Sequence, residues 1–135
     1  MSIISIYEPL KNDMFEVEFE KEFSSMNSLV KKTSGIKYSD NTWQDITIIF
    51  YTFVNPNINY YLAKYIDEYE KKNFSILSFN IKSLDDTGVS IEKFEVNLEK
   101  ILFVDFGAFG YENTNSIRNA KLIIKPRKVQ YSINL

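Results

Sequence analysis

The sequence has no cysteine and no histidine. Without them there is no zinc site with Cys or His ligands, no thiol nucleophile, no Ser-His-Asp triad or Cys-His dyad, and no haem held by His or Cys. A disulfide framework is equally excluded, so nothing ties the chain to an oxidising compartment. Glycine and proline are scarce, at 4 and 3 residues, which leaves no flexible linker or low-complexity tract. The longest apolar run, residues 46–54, is broken by Thr47 and Thr52 and is far too short to cross a bilayer. A net charge of −2 lacks the basic excess that bulk phosphate neutralisation requires. The first nine residues have neither a basic stretch nor a long apolar one and do not read as a signal peptide. The expectation is one soluble domain, made inside the cell, with no membrane segment and most familiar enzyme chemistry out of reach.

What the sequence does have is enough apolar material for a core. Of 135 residues 44% are hydrophobic and 16% aromatic, which suffices without disulfides or metals. Charge is unevenly spread. The first 26 residues hold Glu8, Asp13, Glu16, Glu18, Glu20 and Glu22 against Lys11 and Lys21, whereas after Glu112 only bases occur: Arg118, Lys121, Lys125, Arg127 and Lys128. Such an acidic front and basic tail would suit self-association of like subunits, or would simply be solvated strand faces of opposite sign.

Alternation predicts the strands. In residues 14–20, Phe15, Val17 and Phe19 share one face and Glu16, Glu18 and Glu20 the other. Residues 24–36 read as a short strand or an extended loop ending at Gly35, and residues 43–53 as a strand rich in aromatic and β-branched side chains. Asn55-Pro56 starts a helix, with Asn55 as N-cap, and Ile58, Tyr61, Leu62, Tyr65, Ile66 and Tyr69 recur at helical spacing as far as about Asn73. Residues 74–84 and 91–102 form a hairpin around the turn Asp85-Asp86-Thr87-Gly88. After an aromatic loop, residues 106–111, and the polar residues 112–116, residues 117–125 and 129–133 form the last strand or pair, with Pro126 imposing a bend or an edge. The predicted fold class is mainly β: a small antiparallel β-sandwich or barrel with a single flanking α-helix, spanning residues 1–135 as one domain.

A search for chemistry finds little. Asp85 and Asp86 lack the spacing of a calcium loop and sit where a turn favours Asp; Asp105 precedes another loop. Gly107 to Gly110 has neither the lysine nor the following helix of a phosphate-cradling loop. Ser, Thr, Tyr and Lys remain as nucleophiles, but nothing places one beside a base. The basic, partly aromatic residues 121–131 would suit single-stranded nucleic acid or, equally, a strand with a charged outer face. No catalytic, metal or cofactor residues are predicted, and no enzyme.

Several landmarks resemble the tail tube proteins of contractile-tailed bacteriophages. Asp13-Met-Phe-Glu-Val-Glu-Phe19 is similar to that family's first strand, and Trp43-Gln-Asp-Ile-Thr-Ile-Ile-Phe50 to its tryptophan-led central strand, which is also followed by an amphipathic helix. Leu84-Asp-Asp-Thr-Gly88-Val-Ser-Ile91-Glu-Lys-Phe94-Glu-Val96 resembles its hairpin, and residues 117–131 stand where its closing strand stands. The resemblance implies a structural virion protein without catalytic residues. It would be a tail tube subunit in stacked hexameric rings around a central channel for non-specific DNA passage, made in the host cytoplasm, located in the virion tail and meeting tail sheath and baseplate or terminator proteins. The type VI secretion tube shares the fold. Candidate acidic lumen residues are Glu16, Glu18, Glu20, Glu95 and Glu99. Candidate subunit or ring-stacking contacts are Arg118, Lys121, Lys125, Arg127, Lys128, Asp85 and Asp86. Residues 20–40 are shorter than the family's usual stacking loop and strand, which also suits a tube-initiating baseplate subunit or a tail terminator. A reading from a different class is a monomeric β-barrel module with a ligand pocket.

Overall fold

Alternating apolar residues produce the six strands of one antiparallel sheet. A computed structural model of the chain describes residues 7–111 and 118–134. The strands are β1 (Phe15–Phe19), β2 (Val30–Thr33), β3 (Tyr38–Ser39), β4 (Thr42–Trp43), β5 (Ile46–Tyr51), β6 (Phe79–Leu84), β7 (Ser90–Asp105) and β8 (Asn119–Ile133). The large sheet runs β1-β6-β7-β8-β5-β2 and curls into a nearly closed barrel, while β3 and β4 form a separate small hairpin. The mainly-β prediction holds.

Strands β7 and β8 form the spine, with 16 and 15 residues, so each extends about 50 Å at the usual strand rise. Their ladder shifts register three times, between Asn97 and Leu98, between Leu98 and Lys100, and between Ile101 and Phe103. Bulges bend and twist a strand. Below them β7 pairs with β6, and above them β8 pairs with β5, which lets one hairpin serve both halves of the barrel. Pro126 stands opposite Leu98 at a bulge, beyond Ile124 where the ladder between β8 and β5 ends. It therefore interrupts no β5 pairing, and residues 119–133 run as one strand rather than two. The expected strand start at Ile117 and the polar residues 112–116 lie outside the described residues, as do residues 1–6 of the N-terminus.

The core fills the barrel and is closed by the helix α1 (Ile58–Glu70), which buries Ile58, Leu62 and Tyr65 against it. The tyrosine-containing stripe is thus a packing face. Phe19 and Phe23 stand edge-on to Tyr65, with centroids at 6.2 and 5.0 Å. The Tyr65 hydroxyl donates to the Leu77 carbonyl at 2.6 Å, and burial pushes its pKa up. The N-cap is Asn57, not Asn55: its Oδ1 accepts from the Asn59 N–H at 2.9 Å, a bond only a residue two positions before that donor makes here.

Three further local readings change. Residues 21–29 form a 3-10 helix that buries Phe23, Met26 and Leu29, a three-residue spacing that suits three residues per turn; only residues 30–33 of the expected short strand are extended. Trp43 belongs to the small hairpin, where Asp40 and Asn41 take positive φ as a two-residue hairpin turn requires, so the central strand begins at Ile46. Residues 74–76 form a 3-10 turn before β6.

Candidate assembly surfaces

The register of the sheet brings the two predicted charge sets onto one face. Glu16, Lys82, Lys93 and Ser132 form one cross-strand row, and Glu18, Asn80, Glu95 and Gln130 the next. Farther along, Asn97 faces Lys128, Lys100 faces Lys125, and Asp105 faces Lys121. These side chains alternate with core residues such as Val17, Val96, Leu122 and Ile124, so they point away from the barrel interior. Candidates assigned to two roles, Glu16, Glu18 and Glu95 to a lumen and Lys121, Lys125 and Lys128 to subunit or stacking contacts, therefore share one mixed-sign polar face.

That face is partly self-neutralised. Glu18 accepts from Lys82 Nζ at 3.0 Å and from Asn80 Nδ2 at 3.3 Å, and the Lys82 hydrogen bond is the main cause holding its carboxyl below the usual range. Glu99 sits at the bulge and pairs with Lys125 at 3.9 Å. Exposed pairs of this kind contribute little stability, so the arrangement sets the sign pattern of a surface more than it holds the fold. Glu20 lies beyond the end of β1, at the residue before the 3-10 helix and without a side-chain cap bond, and Arg127 is exposed between Pro126 and Lys128.

At one end of the spine lies the turn between β6 and β7. Asp85 spends its carboxylate within the turn, accepting from the Thr87 hydroxyl at 2.6 Å and from the Thr87 and Val89 N–H groups at 2.9 Å; these bonds lower its pKa, that from the Thr87 hydroxyl most. Asp86 pairs with Lys11 at 3.0 Å, which lowers the acid and raises the base, and its N–H donates to Glu8. Beside this turn opens a cleft of about 570 Å³ between the sheet-edge strands β1 and β2. Its floor is apolar, with Phe15, Ile36, Ile81 and Phe94, and its polar rim includes Lys11, Lys32 and Glu92. Glu92 is held in place by the Ser83 hydroxyl at 2.6 Å and the Tyr131 hydroxyl at 2.9 Å, and that second bond raises the tyrosine's pKa.

The other end of the spine is aromatic. Phe53, Val54, Tyr60 and Phe109 are all more than half exposed there, Val54 at 96% and Phe109 at 85%. The loops that carry them are tied together: the Thr52 hydroxyl donates to the Arg118 carbonyl, and Asn59 Nδ2 to the Phe106 carbonyl at 3.0 Å. Three aromatic rings here have a cation over the face, Arg118 on Phe109 at 4.6 Å, Lys64 on Tyr60 at 4.5 Å and Lys31 on Tyr51 at 5.7 Å. Gly107 keeps the loop close, with φ 106° and a position where a Cβ would stand 3.2 Å from Arg118 Cδ. The sequence reading marked residues 106–111 as an aromatic loop without giving it a role, and it missed the cleft altogether. Aromatic residues on the outward register of β5, Tyr51 and then Phe53, were the available signal for the first; the cleft depends on two strands distant in sequence and had none.

Among the described residues no group of three or more acidic side chains is placed to hold a metal ion, and no helix is long and apolar enough to cross a membrane. Asp85 and Asp86 are spent on the turn and on Lys11, and the basic residues of β8 are spread along the sheet rather than gathered into one patch.

Comparison with known protein families and with curated proteins finds no match. Solved structures do match along nearly the whole length. A chain of the PVC sheath-tube complex of an extracellular contractile injection system, in the extended state, superposes with a TM-score of 0.69 at 16% identity, covering 99% of both chains. A chain of the PVC sheath/tube terminator gives 0.68 at 16% identity over 94% of this chain and 99% of that one. A chain of the anti-feeding prophage tube-terminating cap gives 0.66 at 15% identity over 99% of this chain and 100% of that one. The protein has the fold of the tube and terminator proteins of contractile injection systems.

Proposed function

We propose that this protein is a non-enzymatic structural subunit of a contractile tail or injection particle, one that acts by assembling with copies of itself into a ring, six-membered as the tail-tube resemblance implies. The observation that carries this reading is the end-to-end match: 99% of this chain and 99% of a chain from a sheath-tube complex superpose. Two features of the molecule support it. The sheet ends in two edge strands of opposite charge, β1 with Glu16 and Glu18 and β2 with Lys31 and Lys32, joints that a monomer would be expected to protect. And α1 covers the inner side of the sheet, leaving the polar outer face of β1, β6, β7 and β8 for a channel wall.

In this reading Glu16, Glu18, Glu95 and Glu99 face the channel together with Lys82, Lys93 and Lys128. Mixed charge with no dense basic cluster lets DNA move past without a fixed binding site. Sheath and baseplate or terminator proteins meet the outside and the ends of the ring. The test is sedimentation velocity of the purified chain across protein concentration. A species at a fixed multiple of 15.9 kDa is the expected result. A single monomer boundary at every concentration would refute the self-assembly reading and return attention to the cleft as a ligand pocket.

A further inference from the structure

Beyond the ring reading and independent of it, we propose that residues 1–6 of this same chain occupy the apolar cleft between β1 and β2, lying there as an extended segment whose isoleucines cover the floor. The cleft is then a seat for the chain's own residues and not a pocket for a free ligand.

The topology opens the cleft. Strands β1 and β2 are the two ends of the sheet, each paired on one side only, and the gap between them leaves Phe15, Ile36 and Phe94 half-buried where they pack against the core. Apolar surface of this kind favours a cover that takes it out of water. The path of the chain brings residues 1–6 to that gap. Glu8 accepts from the Asp86 N–H at 3.3 Å and Lys11 donates to the Asp86 carboxylate at 3.0 Å, which pins the chain at the rim, and Leu10, Lys11 and Asn12 line the cleft itself. Pro9 disfavours the helical region for Glu8, so the residues before it enter as extended chain. Ile6 stands four residues from Leu10, at most about 14 Å of chain, which starts the segment within reach of the floor. A tethered segment competes at roughly millimolar effective concentration, whereas a separate partner bears the full entropy of association.

Composition matches the site. Residues 1–6 read Met-Ser-Ile-Ile-Ser-Ile, four apolar residues and no charged side chain, and isoleucine suits extended backbone on a half-buried surface. The cleft asks for no charge in its occupant, because Lys11 is already bonded to Asp86 and Glu92 to the hydroxyls of Ser83 and Tyr131. The backbone of β1 adds a second attachment. The Phe19 N–H donates to Asn27 Oδ1 and so points away from β6. Strand residues two apart turn their backbone groups to the same side, so Phe15, at the cleft end of β1, offers its N–H and C=O to the free edge, where an extended segment can pair with them.

The test is amide hydrogen exchange of the full wild-type chain, followed by NMR at Ile3, Ile4, Ser5 and Ile6 over a range of protein concentrations. The expected result is exchange slowed about tenfold or more against an unstructured chain, by the same factor at every concentration. Exchange at the unstructured rate would overturn the proposal. Protection that disappears on dilution would overturn it too, by showing that a second copy supplies the segment. A variant gives an independent reading. Ile4→Asp with Ile6→Asp should abolish the protection and open the floor to the dye anilinonaphthalene sulfonate, which wild-type protein should not bind, while a cooperative melt is retained. Dye binding equal in wild type and variant would show that residues 1–6 do not cover the floor. The outcome is separate from that of sedimentation, since a monomer and a ring subunit are both expected to show the protection.

Discussion

Replacing Tyr65 by Phe isolates the bond that fixes α1 to the rest of the barrel. The ring contacts with Phe19 and Phe23 stay, and only the hydroxyl that donates to the Leu77 carbonyl at 2.6 Å is lost. Tyr65 is 1% exposed and Leu77 fully buried, so water has no access to take the hydroxyl's place. Leaving a buried acceptor without its partner costs about 1–3 kcal/mol, more than the net worth of an average hydrogen bond. A chain of this length loses roughly 4 °C of melting temperature per kcal/mol, so Tyr65→Phe should melt about 4–12 °C lower. Because assembly raises apparent stability by mass action, wild type and variant must be compared at one protomer concentration, ideally below the assembly threshold. Urea midpoints should fall with an unchanged slope, since the folded contour is preserved. A midpoint equal to wild type would show that the α1 anchor carries no energy and that packing alone seats the helix.

Three other outcomes follow from the same geometry. Glu18 has a depressed pKa, so its contribution is fully present above about 4.5, the ordinary carboxyl value, and is lost as pH falls through its folded pKa. Glu18→Gln should therefore flatten the acid side of the stability profile by less than about 1 kcal/mol, the pair being partly exposed; an unchanged acid limb in pH-dependent urea melts would contradict this. Asn57→Ala removes the cap of α1 and should cost about 1 kcal/mol by urea unfolding, while Asn55→Ala should cost nothing comparable. Gly107→Ala places a Cβ at φ 106° against Arg118 and should cost about 1–3 kcal/mol in thermal melts, whereas Gly110→Ala meets open space and serves as the control.

Elements carried by strong local periodicity were legible before any coordinates. The alternation of Phe15, Val17 and Phe19 and the helical recurrence of Ile58, Leu62 and Tyr65 each reflect a one-sided burial that the fold reproduces. Elements that depend on distant partners were not. The bulges between Asn97 and Phe103 lie in a ladder whose two strands carry different neighbours, β6 beside β7 and β5 beside β8, and nothing local to β7 encodes that demand. The same holds for the candidate surfaces. The acids of β1 and the bases of β8 looked like two surfaces because they lie about a hundred residues apart in the sequence, yet the ladder places them on one face. The 3-10 helix over Lys21–Leu29 is a different kind of miss, since the three-residue spacing of Phe23, Met26 and Leu29 was visible but was outweighed by the polar residues between them.

The most direct test of the account is cryo-electron microscopy of the purified protein viewed end-on. Rings with an open centre, lined by the outer face of β7 and β8 and with α1 on the outside, are the predicted result. Solid particles without a central opening, or rings whose lumen is walled by α1, would contradict the account.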